Sequence, residues 1–232
     1  MKFMQPEPLT LSAPLALRLA PGMCSSTAGK DDSCAWSHGF WQYLRLLGMA
    51  GDPTNHDAFF VDALVRSLHE KKDPHVLVCG SADYAMLAML LRAFEPIRYR
   101  GEVTVVDRCE TPLWLNRWFA DSMSFPIVTE RCDILDMGAD RTFDLICTHS
   151  FFSYFEPAQR PGLLRQWHRL LRPGGAVVTA SRIRDSDPTR PDRFSERQAD
   201  EFVERVRRRA SALPALPGIT AAELDEIGRA HV

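Results

Sequence analysis

The sequence carries no excess of charge of either sign. Lysine and arginine number 28 and aspartate and glutamate 30, a formal net charge of −2. So balanced a chain lacks the global positive field that draws a protein to nucleic acid or an anionic membrane. It has no apolar run of membrane-spanning length. The leucine- and alanine-rich stretch at 9–20 is interrupted by Pro14 and Arg18 and preceded by no charged region beyond Lys2, so it reads as a segment packing on the domain rather than a signal peptide. None of the six cysteines forms a C-x-x-C pair or has a histidine at finger-like spacing, and no metal ligand set is assigned. Internal repeats and low-complexity tracts are absent.

What is present is an ordinary folded chain. The 232 residues, 45% hydrophobic and 25% charged, suggest one domain with or without an extra segment, long enough to bury a sizeable core. Cys79 and Cys147 lie in apolar runs, where free cysteine behaves as a small hydrophobe. The scatter of the six points to a reducing, cytoplasmic compartment.

Residues 1–35 mix proline, glycine and serine and read as a loosely structured arm. A helical face then begins with Trp36, Phe40, Trp41, Leu44 and Leu47. A second helix is expected over 55–71, burying Phe60, Leu64 and Leu68. From His75 onward, β-rich runs at 75–80, 102–107, 127–132, 143–149 and 176–181 alternate with helical runs at 82–94, 111–122 and 157–171. That alternation predicts βαβ units and a mainly parallel sheet covered on both faces, an α/β three-layer sandwich. Within it, Thr111-Pro112 reads as a helix start, Leu163, Leu164, Trp167, Leu170 and Leu171 as one buried face, and Arg172-Pro173-Gly174-Gly175 as a helix terminator. The nearly all-apolar helix after the first strand is expected to be deeply buried. Helices near 195–210 and 220–228 follow. The organisation expected is an arm and lid-like helix at 1–54, the α/β core at 55–182 and a C-terminal helical segment at 183–232.

In an open parallel sheet the ligand crevice lies outside the carboxyl ends of the strands, where strand order reverses. The strand ends therefore nominate the site. The first ends in Gly80-Ser81-Ala82-Asp83, a small-residue turn that lets backbone approach a ligand, beside the free N–H groups of a helix start. The second ends in Asp107, placed to accept hydrogen bonds from the hydroxyls of a ribose, with Arg108 next to it. The third runs into Cys132-Asp133-Ile134, where an aspartate could accept from an adenine amino group while Ile134 packs on the ring. The fourth ends in His149-Ser150-Phe151-Phe152-Ser153-Tyr154-Phe155, an aromatic cluster in the expected crevice.

Taken in order, VLVCGSADY, VTVVD, ERCDILD, FDLICTHSFFSYF and LLRPGGAVV resemble the class I S-adenosylmethionine-dependent methyltransferases over residues 55–182. The resemblance implies a Rossmann-like fold and S-adenosylmethionine as cofactor. It implies that Gly80, Ser81 and Ala82, with Asp83, line the methionine portion, that Asp107 and Arg108 serve the ribose end, that Asp133 and Ile134 flank the adenine, and that His149 and Ser150 lie beside the sulfonium. Val78 stands where the family usually has an acidic residue, Ala82 and Tyr84 replace its later glycines, and residues 211–232 offer no pair of β-runs for its terminal hairpin. A sheet left open at one edge would favour self-association into a homo-oligomer.

His149 is the candidate general base because its ordinary pKa lies near neutrality. Trp36 and Tyr43, with Phe151, Phe152 and Tyr154, are the candidate lid and substrate-facing residues; aromatic residues at helical spacing also serve as core. Asn55 and His56 are further candidates. A small-molecule acceptor is favoured over nucleic acid, because the fourth-strand loop lacks an Asp-Pro-Pro-Tyr type of motif and the basic run Arg205, Arg207, Arg208 and Arg209 shares its helix with Glu201 and Glu204. Two rivals stand beside the enzyme reading: a non-catalytic methyltransferase-like subunit and a nicotinamide-dependent oxidoreductase.

Overall fold

The computed structural model describes residues 7–24, 33–97, 101–181, 195–213 and 216–230. Their contacts group into two units, one spanning 52–181 and the other joining 8–51 to the chain from 182 onward.

The first unit is built on five short strands. β1 (His75–Cys79), β2 (Glu102–Asp107), β3 (Val128–Arg131), β4 (Phe143–His149) and β5 (Leu171–Ala180) form one sheet in the order β3-β2-β1-β4-β5. Every pairing is parallel, with Cys79 opposite Val106, Val78 opposite Cys147, Asp107 opposite Arg131 and His149 opposite Ala180. The chain lays β2 and β3 to one side of β1 and then returns to lay β4 and β5 on the other. The reversal therefore falls between β1 and β4, and it gathers the carboxyl ends carrying Gly80, Asp107 and His149 along one rim.

The strands read as continuous apolar runs because both faces are covered. Leu77, Cys79, Val106 and Ile146 join Ile134, Phe143, Leu163 and Trp167 in a single buried cluster. Val78, fully buried in β1, is flanked by Val105 and Cys147. α3 (Asp57–Leu68) buries Phe60, Leu64 and Leu68 at helical spacing, and α4 (Ala85–Ile97) is buried nearly all round. α5 (Glu110–Met123) and α6 (Arg160–Leu170) complete the unit.

Three local expectations need correction. α5 begins at Glu110 after Cys109, so Thr111 lies inside the helix as a buried residue rather than capping it. Leu164 is 51% exposed and lies off the buried face of α6, which is made by Leu163, Trp167 and Leu170. Arg172-Pro173-Gly174-Gly175 does not separate helix from strand. It is the first part of β5, entered through an irregularity in register between Phe143 and Leu145, with Gly174 at φ +73°. A Cβ at Gly175 would lie 2.9 Å from the Arg172 carbonyl oxygen, which is why the irregularity needs glycine there. The start of β4 is held by Asp144, which accepts from the His75 N–H (2.9 Å) and from Arg172 Nη1 (2.7 Å). Burial opposes its charge, but the His75 N–H, Arg172 and Lys71 together hold its carboxyl below the usual value.

The second unit is helical. Residues 9–24, inside the expected loose arm, form α1 (Leu9–Cys24), a helix containing Pro14 and Pro21. Its small residues Ala13, Ala16 and Ala20 are fully buried at i, i+3 and i+7, so the packed face outweighs the helix-breaking cost of proline. α2 (Ser33–Leu46) packs on α1 at Gly39, where a Cβ would make ordinary contact with the Leu17 Cα at 3.5 Å. α7 (Glu196–Ser211) opens with a Ser195/Gln198 capping box and supplies Val206 to a core with Phe40, Tyr43, Leu44, Leu47 and Ile227 of α8 (Ala221–Ala230). Among the described residues after β5 the regular elements are α7 and α8. No helix among the described residues is long and apolar enough to cross a membrane.

Candidate functional site

The site assembles around Gly80, the first residue past β1. Its φ of +64° turns the chain sharply out of the sheet, a conformation glycine adopts without a Cβ penalty. Its N–H stays in the ladder by donating to the Val106 carbonyl (3.1 Å). The next N–H, of Ser81, donates to Asp107 Oδ2 (3.1 Å), and the Cys109 N–H donates to Asp107 Oδ1 (2.8 Å). The half-buried Asp107 carboxylate thus ties the turn after β1 to the turn after β2.

A third residue locks the same turn. Asn116, fully buried in α5, donates through Nδ2 to Ser81 Oγ (3.2 Å), the Asp83 carbonyl (3.3 Å) and the Pro112 carbonyl (2.8 Å). The sequence reading missed it. The available signal was a polar residue among Leu113, Leu115, Phe119 and Ala120 on the inward face of α5. Asp83, also buried, accepts from the Ala85 N–H (2.9 Å) and so caps α4 rather than facing outward. Tyr84 is fully buried and stacks on Phe119 at 4.5 Å, so its ring lies between helices and not over the glycine turn.

The loop after β3 sits close to β2. Asp133 Oδ1 accepts from the Leu135 N–H (2.9 Å), its Oδ2 lies 3.6 Å from Arg108 Nε, and the Cys132 N–H donates to the Asp107 carbonyl (3.1 Å). Ile134, 4% exposed, packs in the core cluster.

At the end of β4, His149 is followed by Ser150 in the left-handed region (φ 52°), which breaks the strand while the Ser150 N–H still donates to Ala180 (2.7 Å). A single 3-10 turn, Phe151–Tyr154, follows. Its aromatic residues separate. Phe152 meets Trp167 edge-on at 5.2 Å and belongs to the core packing, whereas Tyr154 is 78% exposed. Phe151 lies against Gly80 itself: a Cβ added there would fall 2.0 Å from a ring carbon of Phe151.

His149 faces His56 at a ring-centroid distance of 5.6 Å and Phe60 at 6.1 Å. Burial, then the neighbouring His56, push its pKa below the ordinary histidine value, with partial opposition from Asp52. Asp52 is buried and accepts from the Thr54 N–H (2.8 Å), which fixes the 3-10 turn carrying His56. The structure therefore brings together Gly80, Ser81, Asp107, Arg108 and Asp133 at one side of the rim, and His149 with His56 at the switch point. Trp36 and Tyr43 belong to the helical unit. Tyr43 is 0% exposed, its hydroxyl donates to the Pro217 carbonyl (2.6 Å), and burial pushes its pKa up to about 12, so its ring is spent as core.

A family model described as a methyltransferase domain matches residues 76–175, from inside β1 to inside β5. That span contains the glycine turn, the β2 tip and the LRPGG segment in the order the resemblance requires. Residues 76–175 are thus similar to a methyltransferase domain. The methyltransferase domain is also similar in shape to solved structures. An S-adenosylmethionine-dependent methyltransferase from Clostridium acetobutylicum is 16% identical, with a TM-score of 0.47 over 59% of this chain and 53% of that one. PKMT2 from Rickettsia typhi, in complex with AdoHcy, is 19% identical, with a TM-score of 0.40 over 51% of this chain and 23% of that one. TrmN from Thermus thermophilus is 22% identical, with a TM-score of 0.38 over 51% of this chain and 36% of that one. The matched region thus spans about half or less of each of these chains. No curated protein matches the chain.

Proposed function

We propose that the chain is an S-adenosylmethionine-dependent methyltransferase acting on a small-molecule acceptor. The observation that carries this reading is the Asp107 carboxylate, bonded to the Ser81 N–H just past the left-handed Gly80 at the rim of the sheet where strand order reverses. The donor set fits the nucleoside end of that cofactor: a half-buried carboxylate for a vicinal diol, with Arg108 and Asp133 beside it. At the methionine end, the fit requires the Phe151 ring to swing away from Gly80. The cofactor supplies an electrophilic methyl group on sulfur.

The remaining chemistry falls to this chain. Holding an acceptor in line with the methyl carbon supplies up to about 7–11 kcal/mol, so no conspicuous nucleophile is needed. His149, kept neutral by burial and by His56, takes the proton that an acceptor hydroxyl or ammonium must lose. Its lowered pKa leaves the neutral form dominant at pH 7. The acidic limb of kcat/KM is expected below pH about 6.5, the ordinary histidine value. His56→Gln, which removes the neighbour that helps lower the His149 pKa, moves the limb upward. His149→Ala lowers kcat by about 100-fold or more with a smaller change in cofactor affinity. A pH–rate profile of the three proteins checks this, and equal loss of turnover and affinity, or none, removes the base assignment.

Nucleic acid is disfavoured as acceptor by how the basic run of α7 is spent. Arg207 pairs with Glu204 (2.6 Å) and Asp225 (2.8 Å), Arg209 donates to the Leu47 carbonyl (3.0 Å), and Arg205 lies over the Phe202 ring at 5.3 Å.

Calorimetry with S-adenosylmethionine, S-adenosylhomocysteine and NAD tests the proposal. Binding of the first two and not the third is expected, and binding of NAD alone would reverse the assignment. A second reading, a non-catalytic methyltransferase-like subunit, is favoured by Phe151 covering Gly80. It prevails if neither the native chain nor Phe151→Ala binds either sulfur compound.

A further inference from the structure

The helical unit contains a cluster that plays no part in the reading above. Cys34 and His38 are four residues apart in α2, which stacks them on one face, and Cys24 is the last residue of α1, brought alongside by the packing at Gly39. Cys24 Sγ and Cys34 Sγ each lie 3.3 Å from the same atom, His38 Nδ1. The three ligand atoms lie within 4.8 Å of one another. Cys24 is buried, and Cys34 and His38 are half-buried.

Two sulfurs converging on one imidazole nitrogen is the arrangement of ligands around a shared ion. With Zn–S near 2.3 Å and Zn–N near 2.05 Å, tetrahedral angles place sulfur and nitrogen about 3.6 Å apart, near the 3.3 Å that this cluster shows.

We propose that Cys24, Cys34 and His38 form a binding site for Zn2+, each thiol releasing its proton to become a thiolate ligand. Two thiolates and an imidazole are a soft donor set that selects zinc over magnesium or calcium, and they leave one tetrahedral position for a further donor. By tying the end of α1 to the first turns of α2, the ion stabilises the pair of helices.

The test uses the full chain, purified under reducing conditions. The expected result is one zinc per chain by elemental analysis after gel filtration. Replacing zinc with Co2+ is expected to give the thiolate charge-transfer bands and the visible bands of tetrahedral cobalt. Cys34→Ser and His38→Ala are expected to retain less than about a tenth of the metal. Cys132→Ser, which alters a cysteine of the other unit, retains it fully. If Cys34→Ser fails to fold, chelation of the cobalt form of the native chain takes its place, with loss of the bands and the appearance of two newly reactive thiols expected. The proposal is overturned if the native chain takes up neither zinc nor cobalt, or if Cys132→Ser loses the metal as readily as Cys34→Ser.

Discussion

Alanine at Gly80 is expected to destabilise the methyltransferase domain by about 2–5 kcal/mol and to abolish binding of S-adenosylhomocysteine. Two costs add. The left-handed backbone at φ +64° disfavours a side chain by about 1–2 kcal/mol, and the new Cβ would fall 2.0 Å from a Phe151 ring carbon, an overlap of the kind that costs about 1–3 kcal/mol to relieve. Relieving the overlap makes the ring give up its contacts with Phe155, edge-on at 5.1 Å, and Trp167, at 6.4 Å, the same movement that cofactor binding requires of it. The two costs separate in a double-mutant cycle with Phe151→Ala, read by denaturant unfolding. Removing the ring relieves the overlap but not the backbone cost, so a coupling energy of about 1–3 kcal/mol is expected between the two positions. Additive effects would mean that the ring does not rest on the glycine in solution.

Much of this site was legible because it follows from a rule about strand ends rather than from any contact. β2 and β4 coincide with the runs that end in Asp107 and His149, so both residues reach the rim wherever the helices settle. Phe151 over Gly80 was not legible. Two residues distant in sequence meet only because β4 lies beside β1, and the left-handed Ser150 then directs the following turn back across the rim. Asn116 was hidden for a related reason: a lone polar residue on a helix declares nothing until the carbonyls it serves, from two separate segments, are brought to it.

The helical unit shows the limit on the fold side. Pro14 and Pro21 argue locally against a helix at 9–24, and burial of a small-residue face against α2 overrides them. Likewise, no local pattern indicates that the first 51 residues share a core with α7 and α8. The contacts that do so, such as Tyr43 to Pro217 and Arg18 to Glu223 at 3.0 Å, are long-range. Cys24, Cys34 and His38 escape any short ligand motif for the same reason, since only the pairing of two helices brings Cys24 to the other two.

Asp107→Asn is expected to weaken binding of S-adenosylhomocysteine by about 100-fold or more. The carboxylate accepts two backbone N–H groups, from Ser81 and Cys109, on different oxygens. An amide offers one oxygen, so its NH2 would face the other N–H, and one charge-assisted bond worth about 1.5–3 kcal/mol is lost before any ligand arrives. On the proposed assignment the ribose hydroxyls lose a charged acceptor as well, a loss of similar size, and each 1.4 kcal/mol is a factor of ten in affinity. A cofactor analogue lacking both ribose hydroxyls separates the two contributions. If the carboxylate grips the sugar, the native chain binds the analogue weakly and Asp107→Asn weakens it only by the share that belongs to the turn. If Asp107 serves the turn alone, the substitution reduces affinity for both compounds by the same factor, and the ribose role has to be assigned elsewhere on the rim.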